Sequence, residues 1–495
     1  WLKGNFLRVG PGKFDLGDFT LNHYFDGLAL LSNYTIKDGK VSFHTRYLNS
    51  DAYKKACMAK RPIFTEFGTR SYPDPCKNVF SRMMSQFDPS CITDNCNLGV
   101  IVIEDEVYAS TETCYLRKID PKTLETQDKV DLNKMVSVNM ASSHPLTDSK
   151  GITYNLGSSF MSGPKYHIIR LPTTKDSNRN GADPWLSART IMTIPSSWRA
   201  NYSYYHSFGM SDNYLIFLEQ PLQVNTLKMG TSQVKGRNMH GCMEWYPQEK
   251  VKFHIIRKST GELLKTSYVC HEPFFMFHHA NAYEEDDQLI VDVINYETPD
   301  ILDKLYLNKV RMNEYQSGDP PRFVRFVLPL IDNIQNVPEE EELVRIGGCT
   351  ASAIKTSNNQ FGQHIRVQGQ RVAEAGFEMP VINPAHIGKH YRYVYACGGY
   401  DKGFFHNSIC KVDVDTGNAS LWRESDYHYP GEPVFIPAPD AKEEDDGIIL
   451  TSVADVRKDH PDFLAILDAR SFEEIGRAVM KCKVRNALHG QFVKA

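Results

Sequence analysis

Four histidines stand at similar junctions: His144 in Ser-Ser-His-Pro-Leu, His206 in Tyr-Tyr-His-Ser-Phe-Gly, His278 in Phe-Met-Phe-His-His-Ala-Asn and His489 in Ala-Leu-His-Gly-Gln. Each falls where an apolar or turn segment meets a strand-like one. Four imidazoles without a carboxylate or thiolate favour a borderline metal such as iron, copper or zinc. Zinc hydrolases add a carboxylate or stop at three ligands. A neutral four-nitrogen shell leaves the metal its full positive charge and can leave a coordination position for dioxygen. A ligating histidine generally donates its other ring N–H to a carboxylate. Three glutamates in apolar or aromatic contexts could accept those bonds, namely Glu112 in Ser-Thr-Glu-Thr, Glu378 in Gly-Phe-Glu-Met-Pro and Glu432 in Tyr-Pro-Gly-Glu-Pro-Val-Phe. Taken singly, each histidine reads first as a satisfied turn or core residue, and each glutamate as a surface-loop residue.

The histidines lie dozens to hundreds of residues apart, unlike the local ligands of a zinc finger or a helical His-x-x-x-His site. Such spacing would suit an architecture that brings many strands to one axis. From residue 97 onward the texture is almost all β. Strands are expected at 98–103, 214–218, 251–256, 289–294, 323–328, 391–395, 448–453 and 463–467. Segments 117–126, 255–264, 411–420 and 466–475 repeat one device: an apolar strand, an Asp- or Lys-containing turn, and a strand. No fixed period links them, so the repeat is degenerate. Many short strands with repeated hairpins point to an all-β propeller, which protects its sheet edges by radial repetition. Kelch and tryptophan–aspartate signatures are absent.

Before residue 97, segment 6–12 reads as a strand ending in a Gly10-Pro11-Gly12 turn, with 23–31 following it. Residues 52–61 carry good helix formers. A second helix is expected over 77–87, with Phe80, Met83, Met84 and Phe87 on one face. That face either packs on the core or dips into a membrane surface, flanked by Lys77 and Arg82. Cys76 beside it is a candidate acylation site. Leu222 and Leu227 are further membrane-facing candidates.

Hydrophobic content of 41% and charged content of 23% fit a globular chain with a sizeable core. A net charge of −4 gives no electrostatic case for nucleic acid. No apolar run approaches the roughly 20 residues of a membrane-spanning helix. The 11 cysteines are scattered without Cys-x-x-Cys pairs and read as reduced cytoplasmic thiols. The acidic runs at 339–342 and 443–446 read as solvated loops, and no domain boundary stands out. One domain over 1–495 is expected.

Ordered motifs along the whole chain carry a resemblance: Phe-Asp-Gly at 25–27, Pro-Asp-Pro-Cys-Lys at 73–77, Thr-Asp-Asn at 93–95, Thr-Glu-Thr at 111–113 and Tyr-His-Ser-Phe-Gly at 205–209. Phe-His-His-Ala-Asn at 277–281, Glu-Pro-Val-Phe at 432–435, Glu-Glu-Asp-Asp-Gly at 443–447 and Leu-His-Gly at 488–490 complete the set. The chain resembles the carotenoid cleavage oxygenase family, and within it the insect isomerooxygenase branch. The resemblance implies a seven-bladed β-propeller with a cap of loops and helices over its metal-bearing face. It implies Fe(II) on the axis, held by His144, His206, His278 and His489, with O2 as co-substrate. His279 is the alternative at the double histidine. Glu112, Glu378 and Glu432 would pair with His206, His278 and His489, leaving His144 without a glutamate. His167, His254 and His390 match no ligand motif and are taken as structural.

Two departures from the family pattern, Met379 with its neighbours and Leu488 in a position often aromatic, fall where the substrate cavity is expected. Leu98, Thr111 and Tyr296 are further cavity candidates. The departures imply fewer aromatic faces to steady a cationic polyene. The implied activity is oxidative cleavage of a carotenoid of the zeaxanthin, lutein or β-carotene type at its central 15,15' bond. Retinal-type aldehydes would result, with all-trans to 11-cis isomerisation of one product for visual chromophore. Rivals are a retinyl-ester isomerohydrolase on the same iron and a non-enzymatic propeller scaffold. The implied location is cytoplasmic and peripherally membrane-associated.

Overall fold

A computed structural model describes residues 1–72, 92–173, 184–312, 320–358, 360–374, 376–398 and 405–494. The helix expected over 77–87, with Cys76, Phe80, Met83, Met84 and Phe87, lies outside the described residues. Among the described residues, seven sheets have four or more strands, and each forms a blade. Blade 1 joins the chain ends, because His489–Lys494 pairs antiparallel with Gly4–Lys13. The remaining blades follow in chain order, with innermost strands beginning at Gly99–Ile103, Met140–Ala141, Gly209–Met210, Phe275–Glu285, Phe377–Val381 and His428–Pro430.

What holds the blades in a ring is the period of two along each strand. Alternate side chains point to opposite faces, so a strand buried on both faces feeds two different interfaces. In Tyr214–Glu219, Leu215 and Phe217 join Tyr154, Leu156 and Ile168 of blade 3. Ile216 and Leu218, between them, join Leu289, Val291 and Val324 of blade 5. The same alternation repeats at every boundary. Separate apolar clusters join blades 1 and 2, 2 and 3, 5 and 6, 6 and 7, and finally 7 and 1. Each strand therefore needs no polar face, which is why so many read as continuous apolar runs.

The expected strands all form, within two residues of their ends except at 391–395, where the strand runs on to Gly398. Three of the four repeated turns share one side-chain device. Asp120, Asp413 and Asp468 each accept from the backbone N–H groups two and three residues on, closing an Asx turn. At 255–264, Lys258 stands in the turn and Gly261 closes it in the left-handed region with φ 76°.

Gly10-Pro11-Gly12 is not a turn: the strand Gly4–Lys13 runs through it. A register shift between Pro11 and Lys13 leaves Gly12 unpaired, directly after the proline that cannot donate to a ladder. Gly10 is small because the chain before His489 lies against it; a Cβ there would sit 2.6 Å from Ala487 Cα.

Among the described residues the helices are short. Asp51–Ala59 starts at Ser50, whose hydroxyl accepts from the Tyr53 N–H, and stops at Lys60 in the left-handed region. Leu222, a membrane candidate by sequence, is 3% exposed, in Leu222–Asn225 within the core of blades 3 and 4. Leu227 is 70% exposed on the short helix Thr226–Gly230.

Candidate metal centre

Each blade sends one of the seven candidate residues to the centre. His489 opens the innermost strand of blade 1, and Glu112 lies in a hairpin of blade 2. His144 sits between the two inner strands of blade 3, and His206 leads into the inner strand of blade 4. His278 and Glu378 lie on the inner strands of blades 5 and 6, and Glu432 lies between the inner strands of blade 7. Four blades supply histidines and three supply carboxylates.

The four rings converge. One nitrogen from each of His144, His206, His278 and His489 lies within 4.8 Å of all the others. The Nε2 atoms of His144 and His206 are 2.8 Å apart, those of His206 and His278 3.2 Å, and those of His278 and His489 3.4 Å. The far ring nitrogens meet the glutamates in the expected pairs. His206 Nδ1 is 2.5 Å from Glu112 Oε1, His278 Nδ1 2.7 Å from Glu378 Oε2, and His489 Nδ1 2.7 Å from Glu432 Oε1. Among the described residues His144 has no carboxylate partner. With four of seven blades carrying histidine, three remain to carry acids.

The pairings fix the tautomer. An ionised carboxylate only accepts, so each paired Nδ1 carries the proton and each paired Nε2 is a bare lone pair. Lone pairs facing each other at 3.2 and 3.4 Å repel unless a cation lies between them. Imidazole nitrogens bind zinc at about 2.0–2.1 Å, so ligands at right angles around a similar ion stand about 3.0 Å apart. The donor set thus fits a single divalent ion.

Electrostatics keep His144 and His278 neutral and Glu378 and Glu432 charged. Burial lowers His278 to about 4 and, with its three histidine neighbours, takes His144 well below 6.5. Burial pushes Glu378 and Glu432 up. Against this, His278 and the Met379 N–H hold Glu378 below the usual carboxylate range, and His489, Arg8 and the Gly490 N–H do the same for Glu432.

His279 takes no part in the cluster. A bulge separates it from its neighbours on the strand, and its Nδ1 lies 2.9 Å from Ser207 Oγ. The Ser207 hydroxyl already donates to the Phe277 carbonyl, so His279 Nδ1–H is the donor there. His167 bonds Ser159 and Thr193, His254 meets Glu219 at 3.1 Å, and the His390 ring packs on Tyr283.

Sequence reasoning missed the groups that brace the centre. Ser142 Oγ donates to the His206 carbonyl and accepts from the His144 N–H, tying two ligand loops together. Gln220 donates to the carbonyls of Tyr204 and Met276 and accepts from the Met276 N–H. Arg8, 1% exposed, donates to the carbonyls of Glu432 and Leu488 at 2.6 and 3.0 Å. A small polar residue such as Ser142 or Gln220 carries no pattern that marks it. The arginine inside an otherwise apolar strand, Phe6-Leu7-Arg8-Val9, was the one available signal.

His206, His278 and His489 open on a cavity of ≈ 350 Å³. Leu98, Thr111, Tyr296, Met379 and Leu488 all lie on its wall. Met379 takes a left-handed φ of 55°, unusual for a non-glycine and held by its N–H donating to Glu378. Aromatic faces are not scarce: eight aromatic side chains line the cavity, among them Phe25, Phe160, Phe277 and Phe405.

The family model described as retinal pigment epithelial membrane protein matches residues 1–494. The chain is 39% identical over 502 residues to human beta,beta-carotene 15,15'-dioxygenase, covering all of this chain and 90% of that protein. It is also 39% identical over 507 residues to the mitochondrial carotenoid-cleaving dioxygenase of Mustela putorius furo, covering all of this chain and 92% of the relative. Among solved structures, the cobalt-substituted apocarotenoid oxygenase of Synechocystis superposes with a TM-score of 0.76 at 23% identity, covering 100% of this chain and 93% of that one.

Proposed function

This chain belongs to the retinal pigment epithelial membrane protein family, the carotenoid oxygenases, and we propose that it cleaves a carotenoid polyene at its central double bond, using Fe(II) and O2. The observation that carries this reading is a four-imidazole centre opening on an aromatic-lined cavity. His144, His206, His278 and His489 would hold Fe(II), which when bound supplies the electron transfer that lets dioxygen react with a closed-shell polyene. The protein's own residues do the rest. Glu112, Glu378 and Glu432 keep the protons on Nδ1, so the Nε2 lone pairs stay free. The apolar wall excludes water and holds one bond of the polyene against the centre. Phe25, Phe160, Phe277 and Tyr296 offer π faces that stabilise positive charge on the chain.

The insect resemblance adds a finer step, all-trans to 11-cis isomerisation of one product for visual chromophore. Those π faces favour it, since positive charge on the polyene lowers bond order and frees rotation. Incubating iron-loaded protein with zeaxanthin and β-carotene under labelled dioxygen should give two retinal-type aldehydes carrying the label, with an 11-cis peak among them. Longer, unequal aldehydes would move the scissile bond. Turnover of retinyl esters with no label incorporated would replace oxygenase by isomerohydrolase.

Peripheral membrane contact belongs to the same reading, because carotenoids reside in membranes. Met161, 66% exposed, lies on the cavity wall. Leu227 is exposed between Thr226 and Met229, which line the cavity. Met161→Asp combined with Leu227→Asp should release the protein from liposomes in flotation; unchanged binding would remove these residues from the contact.

A further inference from the structure

The cavity wall is mostly apolar, yet it contains an acid with no role in the centre. Glu66 is 8% exposed and lines the cavity beside Thr65, Thr93 and Asn238. Two acids nearby are saturated with donors. Asp26 accepts from the N–H groups of His23 and Gly68 and from the Thr69 hydroxyl. Asp94 accepts from the N–H groups of Asp51 and Ala52 and is paired with Arg117. Glu66, by contrast, receives one donor among the described residues, the Thr93 hydroxyl at 2.7 Å on Oε1. Thr93 also lines the cavity, and its carbonyl is held by the Thr113 hydroxyl at 2.9 Å.

A buried carboxyl with so little donor support keeps its proton. Burial pushes Glu66 well above the usual carboxylate range, and the charges of Asp26 and Asp94 add to this. Thr93 occupies Oε1, so the proton belongs on Oε2, where no described residue accepts it. An O–H donor in an apolar wall is costly unless an acceptor arrives. A hydrocarbon polyene brings none. A polyene whose end group carries oxygen does.

We propose that Glu66, held by Thr93, forms a hydrogen-bonding subsite for the oxygen of an oxygenated polyene end group, a ring hydroxyl or a terminal carbonyl, and so favours such substrates over hydrocarbon carotenes. This rests on the polyene reading of the cavity. The subsite discriminates because a hydrocarbon leaves the donor unpaired, a penalty that falls on the wrong substrate rather than a bonus for the right one.

The test is anaerobic binding to the metal-loaded protein, with zeaxanthin, an apocarotenal and β-carotene as probes in matched detergent. Glu66→Met should weaken binding of the oxygenated probe that uses the subsite roughly tenfold and leave β-carotene unchanged or tighter. Glu66→Gln, which keeps a donor, should preserve the native preference. Loss on zeaxanthin alone assigns the hydroxyl, and loss on the apocarotenal alone assigns the carbonyl. Should Glu66→Met fail to fold, the isosteric Thr93→Val must lower the same ratio. An unchanged ratio in a folded variant overturns the subsite. In air, absence of cleavage by the native protein would sink the oxygenase reading while the binding ratio still decides the subsite.

Discussion

Each glutamate at the centre accepts the Nδ1–H of one histidine and so exposes its Nε2 lone pair. Glu432→Gln would leave His489 facing an amide that can turn either its oxygen or its NH2 toward Nδ1. Metal affinity should fall 10–100-fold, read by titrating Co(II) or Fe(II) into chelated protein; unchanged affinity would mean that Glu432 does not orient the ring. The buried rings also set a pH response. His278, His23 and His279 are lowered by burial to about 4, about 4 and about 3, so the unfolded chain takes up protons first as pH drops below 6.5. Stability of the metal-free protein is fully present above pH 6.5 and declines towards pH 4, by roughly 3 kcal/mol for each ring. Asp26, raised by burial to about 6, works the other way and offsets about one ring. Thermal melts of chelated protein from pH 7 to 4 should show the decline, and a flat profile would contradict neutral buried rings. At this scale the seven residues nearest the centre were legible because their motifs are ordered and specific. Ser142 and Gln220 were not, because a hydrogen bond to a distant carbonyl leaves no trace in local sequence.

Elements were legible wherever their burial is two-sided or their turns carry an Asx residue, as in the hairpins closed by Asp120, Asp413 and Asp468. Errors came where tertiary context overrode a local signal. Gly10-Pro11-Gly12 has the composition of a turn, yet its glycines answer a crowding requirement and its proline sits at a bulge. Leu222 reads like exposed Leu227 but belongs to a strand between two blades. The Gly10 contact also reaches the centre. A Cβ there would lie 2.6 Å from Ala487 Cα and 3.0 Å from Leu488 N, directly before His489. Both are backbone atoms, so relief requires moving the segment. Gly10→Ala should cost about 1–3 kcal/mol by overpacking and lower metal affinity, whereas Gly39→Ala, where nothing lies within 4 Å, should leave metal affinity intact. Equal metal affinity in both variants would show that the His489 segment is not braced by Gly10.

For the whole molecule, closure and centre are one arrangement. The terminal strand His489–Lys494 completes blade 1, and its first residue is one of the four converging histidines. The other three come from blades 3, 4 and 5, so an ion at the centre would add one shared tie to the apolar clusters and hydrogen bonds that join neighbouring blades. An ion that binds the folded ring and not the unfolded chain stabilises by about 2.7 kcal/mol at a hundred times its Kd. For a chain of 495 residues, with an unfolding entropy near 2.1 cal/mol/K per residue, that is an upward shift of about 3 °C. Because the ligands are shared among four blades, the whole transition should move together as metal is added. Calorimetry of chelated and metal-loaded protein decides this: a single peak displaced upward fits a centre that pins the ring, and His144→Ala should reduce the displacement. A shift confined to part of a split transition would mean that the ion holds only one sector of the propeller.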